Sequence, residues 1–363
     1  MKLLQKYMAN GSIPRVKGAQ IGGDPSDRLL AANGDVGVLR PFLHTDGNSY
    51  ITHTSNQGRV ETEMLRNTTA TLRKDDWKIM DDAVVKAATR RLKLVSQLRG
   101  KGLTFTIPQG MGKTILETET QSEVNDATIS MDGIREGLND RPEFEPSSLP
   151  LPITHKDFQF SARQILVSRN GGSPLDTTSM ELSGAKVAEG VEKLALGRVS
   201  TYTFGGGSVY GLLNYPSRMT RTITSPVAAG WVAQTFLTDI MQMRLQSTGT
   251  GYHFGPWTLF VSPNWDLYLD GDFKAASDRT LRERCLAVNG ISDIITLDYM
   301  QNYDVLLIQE TTDVMRLVIG MDITTLQWDT LGGMQKNFKV MTIVVPQPRA
   351  DQNSRCGIVH GSV

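Results

Sequence analysis

The segment Gly110-Met111-Gly112-Lys113-Thr114 is the strongest candidate for chemistry. A Gly-Lys-Thr triplet after a strand ends the phosphate-binding loop of nucleotide hydrolases, where backbone amides surround phosphate oxygens. That loop also needs a glycine five residues before Gly112, where Ile107 stands, and a helix after the lysine, where 115–120 is typical of a strand. The segment therefore favours a turn, and a nucleotide hydrolase that uses Lys113 and Thr114 is the enzymatic alternative.

Two further segments fail as sites. Gly205-Gly206-Gly207-Ser208 is similar to a nucleophile elbow, but Tyr210 stands where a glycine is needed, so a flexible joint between sub-domains is favoured. Asp266, Asp270, Gly271 and Asp272 resemble part of a calcium loop. Tyr268 and Ser277 stand at positions that need oxygen ligands, which favours an acidic turn.

The histidines are scattered without pairs at metal-ligand spacing: His44, His53, His155, His253 and His360. We therefore predict no catalytic residue, no cofactor-binding residue, no cofactor and no metal site.

Overall charge and cysteine content exclude several classes of protein. Lysine plus arginine and aspartate plus glutamate each number 38, so net charge gives no argument for attraction to nucleic acid or membrane. Cys285 and Cys356 are too few for a disulfide framework and are expected to be free thiols. The N-terminus lacks a secretory apolar core, and no run reaches the roughly eighteen apolar residues of a membrane span, so neither is expected.

Two basic stretches contain no acidic residue. Their functional interpretation is contact with packaged phosphates or with the acidic loop of a neighbour, and the alternative is a solvated helix face. Sequence leaves both open. The stretches comprise Lys2, Lys6, Arg15 and Lys17, and Lys86, Arg90, Arg91, Lys93, Arg99 and Lys101.

The first half of the chain combines an arm, a helix and an acidic loop. Residues 1–70 are rich in glycine, proline and polar residues without periodicity, which predicts an extended arm. Apolar spacing predicts one helix over 75–98, ended by Gly100 and Gly102. Strands at 103–107 and 115–120 follow, at a sheet edge or as a hairpin.

The stretch 117–145 contains nine acidic residues against Arg135 and Arg141, so we expect a long loop that needs a basic neighbour. The segment 147–152, with its prolines, closes this loop in extended conformation.

The second half alternates helices and strands. The clearest helix spans about 176–196, with Thr178 and Glu181 as capping box and Gly197 as stop. Its predicted buried face contains Met180, Gly184, Val187, Val191 and Leu194. From 210 to 320 we predict strands at 257–262, 294–297 and 305–308 and helices at 233–245 and 278–287. Late strands at 324–328 and 339–346 should return to a sheet begun much earlier.

This order of parts resembles the Hong Kong 97-type capsid fold, shared by major capsid proteins of tailed bacteriophages and by encapsulins, over about residues 75–350. The segments that carry the resemblance are the first helix, the acidic loop with Leu151-Pro152-Ile153-Thr154-His155-Lys156-Asp157-Phe158, the long helix, Gly206-Gly207-Ser208-Val209-Tyr210-Gly211-Leu212-Leu213-Asn214-Tyr215, and Tyr252-His253-Phe254-Gly255-Pro256-Trp257 with the strand after it. They look most similar to the encapsulin (linocin) branch.

The resemblance implies an α+β fold with four parts. Residues 1–74 would be an N-terminal arm. Residues 75–211 would be a peripheral sub-domain with an extended loop (about 126–152) and a spine helix (about 176–196). Residues 212–321 would be an axial sub-domain, and 322–363 would hold return strands of the peripheral sub-domain and a C-terminal tail.

The resemblance also implies a function in assembly. The chain would be a major capsid protein that forms hexamers and pentamers in an icosahedral shell around double-stranded DNA, in a virion assembled in the host bacterial cytoplasm. Partners would be further copies, a portal protein, possible scaffolding and cement proteins, and DNA through non-specific contact. The long arm favours a capsid, and the alternative is an encapsulin shell around a cargo enzyme. No lysine occurs between Lys113 and Lys156, so non-covalent interlocking is expected.

Overall fold

The structure is a computed structural model that describes residues 42–44, 48–54, 60–65, 74–89, 92–121, 129, 131, 144–170, 178–274, 279–330, 334–351 and 353–363. Its helices are α1 (Lys74–Thr89), α2 (Lys93–Gly100), α3 (Ala162–Asn170), α4 (Thr178–Leu196), α5 (Ala233–Gly249), α6 (Asp266–Leu269) and α7 (Leu281–Leu286). Its strands are β1 (Phe42–Leu43), β2 (Ser49–Thr54), β3 (Val60–Leu65), β4 (Thr104–Thr106), β5 (Ile115–Gln121), β6 (Phe144–Pro150), β7 (Thr154–Ser161), β8 (Tyr202–Phe204), β9 (Gly207–Val209), β10 (Met219–Thr222), β11 (Trp257–Val261), β12 (Ile291–Thr296), β13 (Val305–Gln309), β14 (Met315–Thr330), β15 (Gln335–Pro348) and β16 (Ile358–Ser362).

A four-stranded sheet of order β4-β14-β15-β7 organises one part of this α+β fold. Its centre is the long antiparallel pair β14 and β15, which runs from Met315↔Pro348 to Thr330↔Gln335. The flanking strands β4 and β7 come from much earlier in the sequence, which confirms that the late strands return to an older sheet. β4 is an edge strand and does not form a hairpin with β5, which pairs with β6 instead.

Helix α4 packs on this sheet and confirms the predicted long helix. All five residues of its predicted inward face are buried. Gly197 ends it with φ +82°, a left-handed conformation that glycine adopts without strain. The amide of Arg198 donates to the Lys193 carbonyl and that of Gly197 to the Leu194 carbonyl, so the last carbonyls of the helix are satisfied.

A five-stranded sheet of order β10-β16-β13-β11-β12 organises the other part. Both faces are covered, because neighbouring residues of β13 enter different cores. Leu306 and Ile308 pack with α2 and α4, whereas Val305 and Leu307 pack with α5, α6 and α7. The predicted strands and helices of this region are confirmed, with boundaries shifted by a few residues.

The chain end was not predicted as a strand. Residues 358–362 form β16, which lies between β10 and β13 inside the five-stranded sheet. The chain after Pro348 therefore returns to a sheet other than the one that holds β15. Among the described helices, none is both long and apolar enough to cross a lipid bilayer.

The first hundred residues contain structure that the sequence patterns did not predict. Strands β1, β2 and β3 form a small antiparallel sheet within the predicted arm, and Phe42 packs against Trp77 and Met80 of α1. Residues 1–41 lie outside the described part. The single helix predicted over 75–98 is two helices, because Leu92 has φ −92° and ψ 65° and is not helical.

Candidate assembly surfaces

Strands β5 and β6 form a two-stranded hairpin, whose described residues we call the acidic hairpin (115–121 and 144–150). Opposed residues share a face, so Glu117 and Glu119 lie on one face with Pro146 and Phe144. Both glutamates are exposed, and Phe144 is 58% exposed. The described hairpin contains no lysine or arginine. The extended loop predicted over 126–152 therefore starts earlier, at residue 115.

The acidic hairpin is anchored at its base. Leu149 and Leu151 pack with Leu194 of α4 and with Val209 of β9. A Cβ added at Gly207 would lie 2.1 Å from the carbonyl oxygen of Ser148, so β9 approaches the hairpin backbone more closely than any other residue would allow.

The glycines at 205–207 are not the flexible joint that sequence favoured. Gly205 and Gly206, with φ +57° and +80°, form the two-residue turn of the hairpin β8–β9. Gly207 begins β9 and packs on the base of the acidic hairpin.

The basic residues of α2, and Lys101 directly after it, pair within the chain. Lys93 Nζ lies 2.6 Å from Asp298 Oδ1, Arg99 Nη2 lies 2.7 Å from Asp322 Oδ1, and Lys101 Nζ lies 3.6 Å from Glu310 Oε2. Their partners belong to both sheets or to the loops beside them. All three basic side chains are partly exposed as well as paired.

The other basic residues differ in what the structure describes. Lys86 is exposed on α1. Arg90 and Arg91, and the arm residues Lys2, Lys6, Arg15 and Lys17, lie outside the described residues.

Glu192 of α4 holds the N-terminus of α2. Its Oε1 accepts a hydrogen bond from Leu94 N at 2.5 Å, and its Oε2 lies 3.3 Å from Val95 N. The residue is 2% exposed. Burial raises the pKa of its carboxyl to about 7, although the backbone hydrogen bonds from Leu94 and Val95 act in the opposite direction. The carboxyl thus satisfies amides that have no partner inside α2, which explains why a second helix starts here.

An ionic cluster joins the end of α4 to the five-stranded sheet. Arg198 Nη2 bonds Asp304 Oδ2, and His360 Nε2 of β16 lies 3.6 Å from Asp304 Oδ1. Burial favours the neutral acid, but the contacts with His360 and Arg198 outweigh it and lower the pKa of Asp304. Charged contacts therefore join the end of α4 to the five-stranded sheet, in addition to the apolar core that the two share.

Removal of this arginine should loosen the joint. Arg198→Ala leaves the mostly buried Asp304 carboxylate with only His360, and we expect a loss of about 2 kcal/mol in the free energy of unfolding. Urea denaturation of unassembled subunits measures it. Lys186→Ala, which breaks an exposed pair with Glu189 on α4, is the control and should cost less than about 0.5 kcal/mol. Equal losses for both variants would contradict the locking role.

The profile of the family of unknown function DUF6260 matches residues 67–361. The chain belongs to this family. No curated protein matches it in sequence.

Solved structures of similar fold identify the fold of this DUF6260 chain. A virus-like particle from Pyrococcus furiosus has 16% sequence identity and a TM-score of 0.56, over 79% of this chain and 99% of that chain. The capsid of Myoviridae phage XM1 has 11% identity and a TM-score of 0.55, over 72% and 89%. The Mycobacterium phage Bobi structure has 12% identity and a TM-score of 0.52, also over 72% and 89%. The predicted Hong Kong 97-type capsid fold is thereby confirmed.

The segments considered for catalysis have structural roles in the DUF6260 chain. Gly110–Gly112 is a single 3-10 turn before β5. A Cβ at Gly110 would lie 2.3 Å from the Gly320 carbonyl oxygen, so the turn presses on β14. No helix follows Lys113, and the phosphate-loop geometry is absent from this described segment.

The calcium-like aspartates are held by an arginine. Arg282 bonds Asp266 at 3.0 Å and Asp270 at 2.9 Å. Across the described residues, no three His, Cys, Asp or Glu side chains are placed to hold a metal ion. Cys285 and Cys356 are free, as predicted. Both are also buried, and burial raises the pKa of each thiol to about 12.

Proposed function

We propose that the chain is the major capsid protein of a tailed double-stranded DNA bacteriophage and self-assembles into the icosahedral shell around the genome. The observation that carries the proposal is the acidic hairpin on a Hong Kong 97-type fold. A two-stranded hairpin is marginally stable alone in water. This one leaves Glu117, Glu119 and Phe144 exposed, which suits a segment that is covered by another subunit.

The proposal assigns a role to each part. Residues 1–74 act as an arm, in which strands β1 to β3 form a small sheet and Phe42 packs on α1. The four-stranded sheet, α1 to α4 and the acidic hairpin form the peripheral sub-domain, from residues 75–211 and the return strands β14 and β15. Strand β14 begins at Met315, before the boundary at 322 that the resemblance implies. The five-stranded sheet and α5 to α7 form the axial sub-domain, residues 212–321, which β16 completes. The axial sub-domains surround the symmetry axes of hexamers and pentamers.

The role is structural and not catalytic. Copies interlock without covalent bonds, because the residues between Lys113 and Lys156 supply no lysine amine for a cross-link. A portal protein, possible scaffolding and cement proteins, and DNA bound non-specifically are the further partners. The protein resides in the virion capsid, assembled in the host bacterial cytoplasm.

An encapsulin-like compartment that encloses a cargo enzyme is the second candidate. The observation in its favour is the likeness to the Pyrococcus furiosus virus-like particle, which extends over 99% of that chain. The long segment before α1 favours the capsid, because an arm of this length extends the contacts of each subunit to more distant neighbours.

Negative-stain electron microscopy of the full chain expressed alone, with nucleic acid content read from absorbance, tests the proposal. Large closed polyhedral shells are the expected result. Small shells filled with protein cargo would support the compartment instead. Subunits that stay unassembled even when phage portal and scaffolding proteins are present would overturn both the capsid and the compartment.

A further inference from the structure

Strand β7 is the outer strand of the four-stranded sheet, and among the described strands it pairs only with β15. Two hydrogen bonds show which of its residues turn their backbone groups toward β15. The amide of Ala162, directly after β7, donates inward to the Met334 carbonyl at 2.8 Å. The amide of Ser161 donates at 2.9 Å to the side chain of Gln164 in its own chain. Because these directions alternate along an antiparallel strand, the odd-numbered residues of β7 turn their backbone groups away from the sheet.

The outward backbone groups of β7 form an open edge at His155, Asp157 and Gln159. All three residues are exposed. Within the described ranges, neither their amides nor their carbonyls have a hydrogen-bond partner. The strand contains no proline, and its pairing with β15 has no bulge. An unblocked edge of this kind is ready to pair with a further strand.

The other outer strands of the two large sheets are protected by side chains or by their short length. Strand β4 has only three residues. On β12, Asp293 Oδ1 accepts a hydrogen bond from the amide of Ile294 at 2.8 Å. On β10, Gln246 of α5 donates to the Thr220 carbonyl at 3.3 Å. In the described part of these sheets, the open edge of β7 therefore differs from the others in being both long and unprotected.

A row of aromatic rings ends at the open edge. Phe158 of β7 stacks on Phe338 of β15, with ring centroids 5.2 Å apart and planes at 11°. Phe160 meets both rings at a steep angle. Phe160 and Phe338 are buried, whereas Phe158 is only partly buried. Another aromatic ring beside Phe158 would therefore continue the row and remove more apolar surface from water.

A second copy of β7 supplies both a strand and such a ring. In antiparallel pairing about a two-fold axis, one residue lies opposite its own counterpart. The registers that use nearly the whole strand are centred on Asp157 or on Phe158. The first sets two carboxylates directly opposite each other, which is destabilising, whereas the second sets two aromatic rings together. The second also sets Asp157 opposite Gln159, whose side-chain amide can donate to the carboxylate.

We infer that β7 pairs antiparallel with β7 of a second copy, in the register that sets Phe158 opposite itself, so that two four-stranded sheets become one. This inference rests on the proposed shell function and adds a contact to it. Each pair of Asp157 with Gln159 exchanges both of its backbone hydrogen bonds across the axis. The same surface serves both copies, so the contact is isologous and joins subunits in pairs across two-fold axes.

Single cysteines in the full-length chain test the register. The two copies of residue 158 should lie at a Cα separation of about 4.5 Å, which a disulfide can bridge. Phe158→Cys, oxidised with copper phenanthroline after assembly, should therefore run mainly as a dimer on a non-reducing gel. Asp157→Cys and Lys156→Cys are the matched controls and should give roughly tenfold less dimer, because their counterparts lie more than about 7 Å away. The native cysteines are buried.

A proline at the open edge tests the backbone pairing. Asp157→Pro removes an outward amide and no hydrogen bond to β15, and proline is tolerated at such edge positions. It should raise the protein concentration needed for shell formation roughly tenfold or more, because both symmetry-related hydrogen bonds from this amide are lost. Asp157→Ala removes the same carboxylate but keeps the amide, so it is the control and should assemble near the parent concentration. Circular dichroism confirms that each variant is folded.

The outcomes separate the strand pairing from the shell function. Shells that form without a dimer through residue 158, or with dimers through residue 156 or 157 instead, would overturn the pairing and leave the shell function standing. Equal assembly of Asp157→Pro and Asp157→Ala would also overturn the pairing. If no shell forms even with phage assembly proteins present, while Phe158→Cys still dimerises, the shell function fails and the pairing stands.

Discussion

Gly211→Ala should lower the free energy of unfolding by about 3 kcal/mol or more. Residues 211–214 cross the end of α4, where the amides of Leu212 and Leu213 donate to the carbonyls of Ala195 and Leu196. A Cβ at position 211 would lie 2.1 Å from the nitrogen of Gly197, a backbone atom that cannot rotate away. The crossing segment must move, and both hydrogen bonds at the helix end would be strained.

Thermal unfolding of unassembled subunits measures this effect, which should appear as a fall in Tm of roughly 5 °C or more. Gly112→Ala is the control, because its added Cβ meets nothing within 4 Å and its φ is not positive. If Gly211→Ala had the same Tm as the Gly112→Ala control, the contact of residue 211 with the end of α4 would have room for a Cβ, contrary to the structure.

Local sequence patterns predicted the elements whose stability is local. Helix α4 has an apolar face at helical spacing and a glycine stop, and all five predicted inward residues are buried. Strands β11 and β13 are short apolar runs, and each is buried along its whole length. These signals depend only on neighbours in sequence, so periodicity is sufficient to find them.

Other elements carry local sequence signals that are sufficient to predict them. Residues 60–64 alternate Val-Glu-Thr-Glu-Met, which is typical of the strand β3. Ser161 and Gln164 have capping-box spacing before the apolar residues of α3. Both were hidden by the expectation of irregular chain.

The remaining features depend on residues far apart in sequence. The apolar spacing of 75–98 is continuous, and what starts a new helix at residue 93 is the carboxyl of Glu192, nearly a hundred residues later. Lys93, Arg99 and Lys101 likewise find partners at Asp298, Asp322 and Glu310. Charge in a sequence window shows that a partner is needed but not where it lies.

The hairpin shows the same limit at the candidate site. Its acidity and extended backbone were predicted, but the pairing of β5 with β6 joins two segments on either side of a long loop. Strand patterns give which residues are extended and do not give the register. The face that presents Glu117, Glu119 and Phe144 follows from that register alone.

Glu192→Gln should change the pH dependence of stability between pH 4.5 and pH 8. The pKa of Glu192 is raised by burial to about 7, so the folded state holds this proton more tightly than the unfolded chain does. Protonation of Glu192 in the folded state therefore stabilises the fold. This stabilisation is fully present below the unfolded pKa of about 4.5 and is lost as the pH rises through about 7. Glutamine does not titrate and keeps an oxygen for the Leu94 amide.

The stability difference between Glu192→Gln and the parent should therefore shift by about 3 kcal/mol in favour of the variant between pH 4.5 and pH 8. Urea denaturation of unassembled subunits across this range measures the stability of each protein. Subtracting the two stabilities removes the titration of other groups, because it is the same in both proteins. Lys93 and Asp298, the nearest charged side chains that act on Glu192, are unchanged in both proteins.

Glu189→Gln, one turn earlier on α4, is the matched control with the opposite sign. Hydrogen bonds from Lys186 and Lys193 lower the pKa of Glu189 to about 2, so its contribution is present above the unfolded pKa and is lost only as the pH falls toward 2. Its difference from the parent should stay constant from pH 5 to pH 8. If the Glu192→Gln difference were equally constant there, the carboxyl would be ionised throughout, and α2 would be held at neutral pH by a full negative charge.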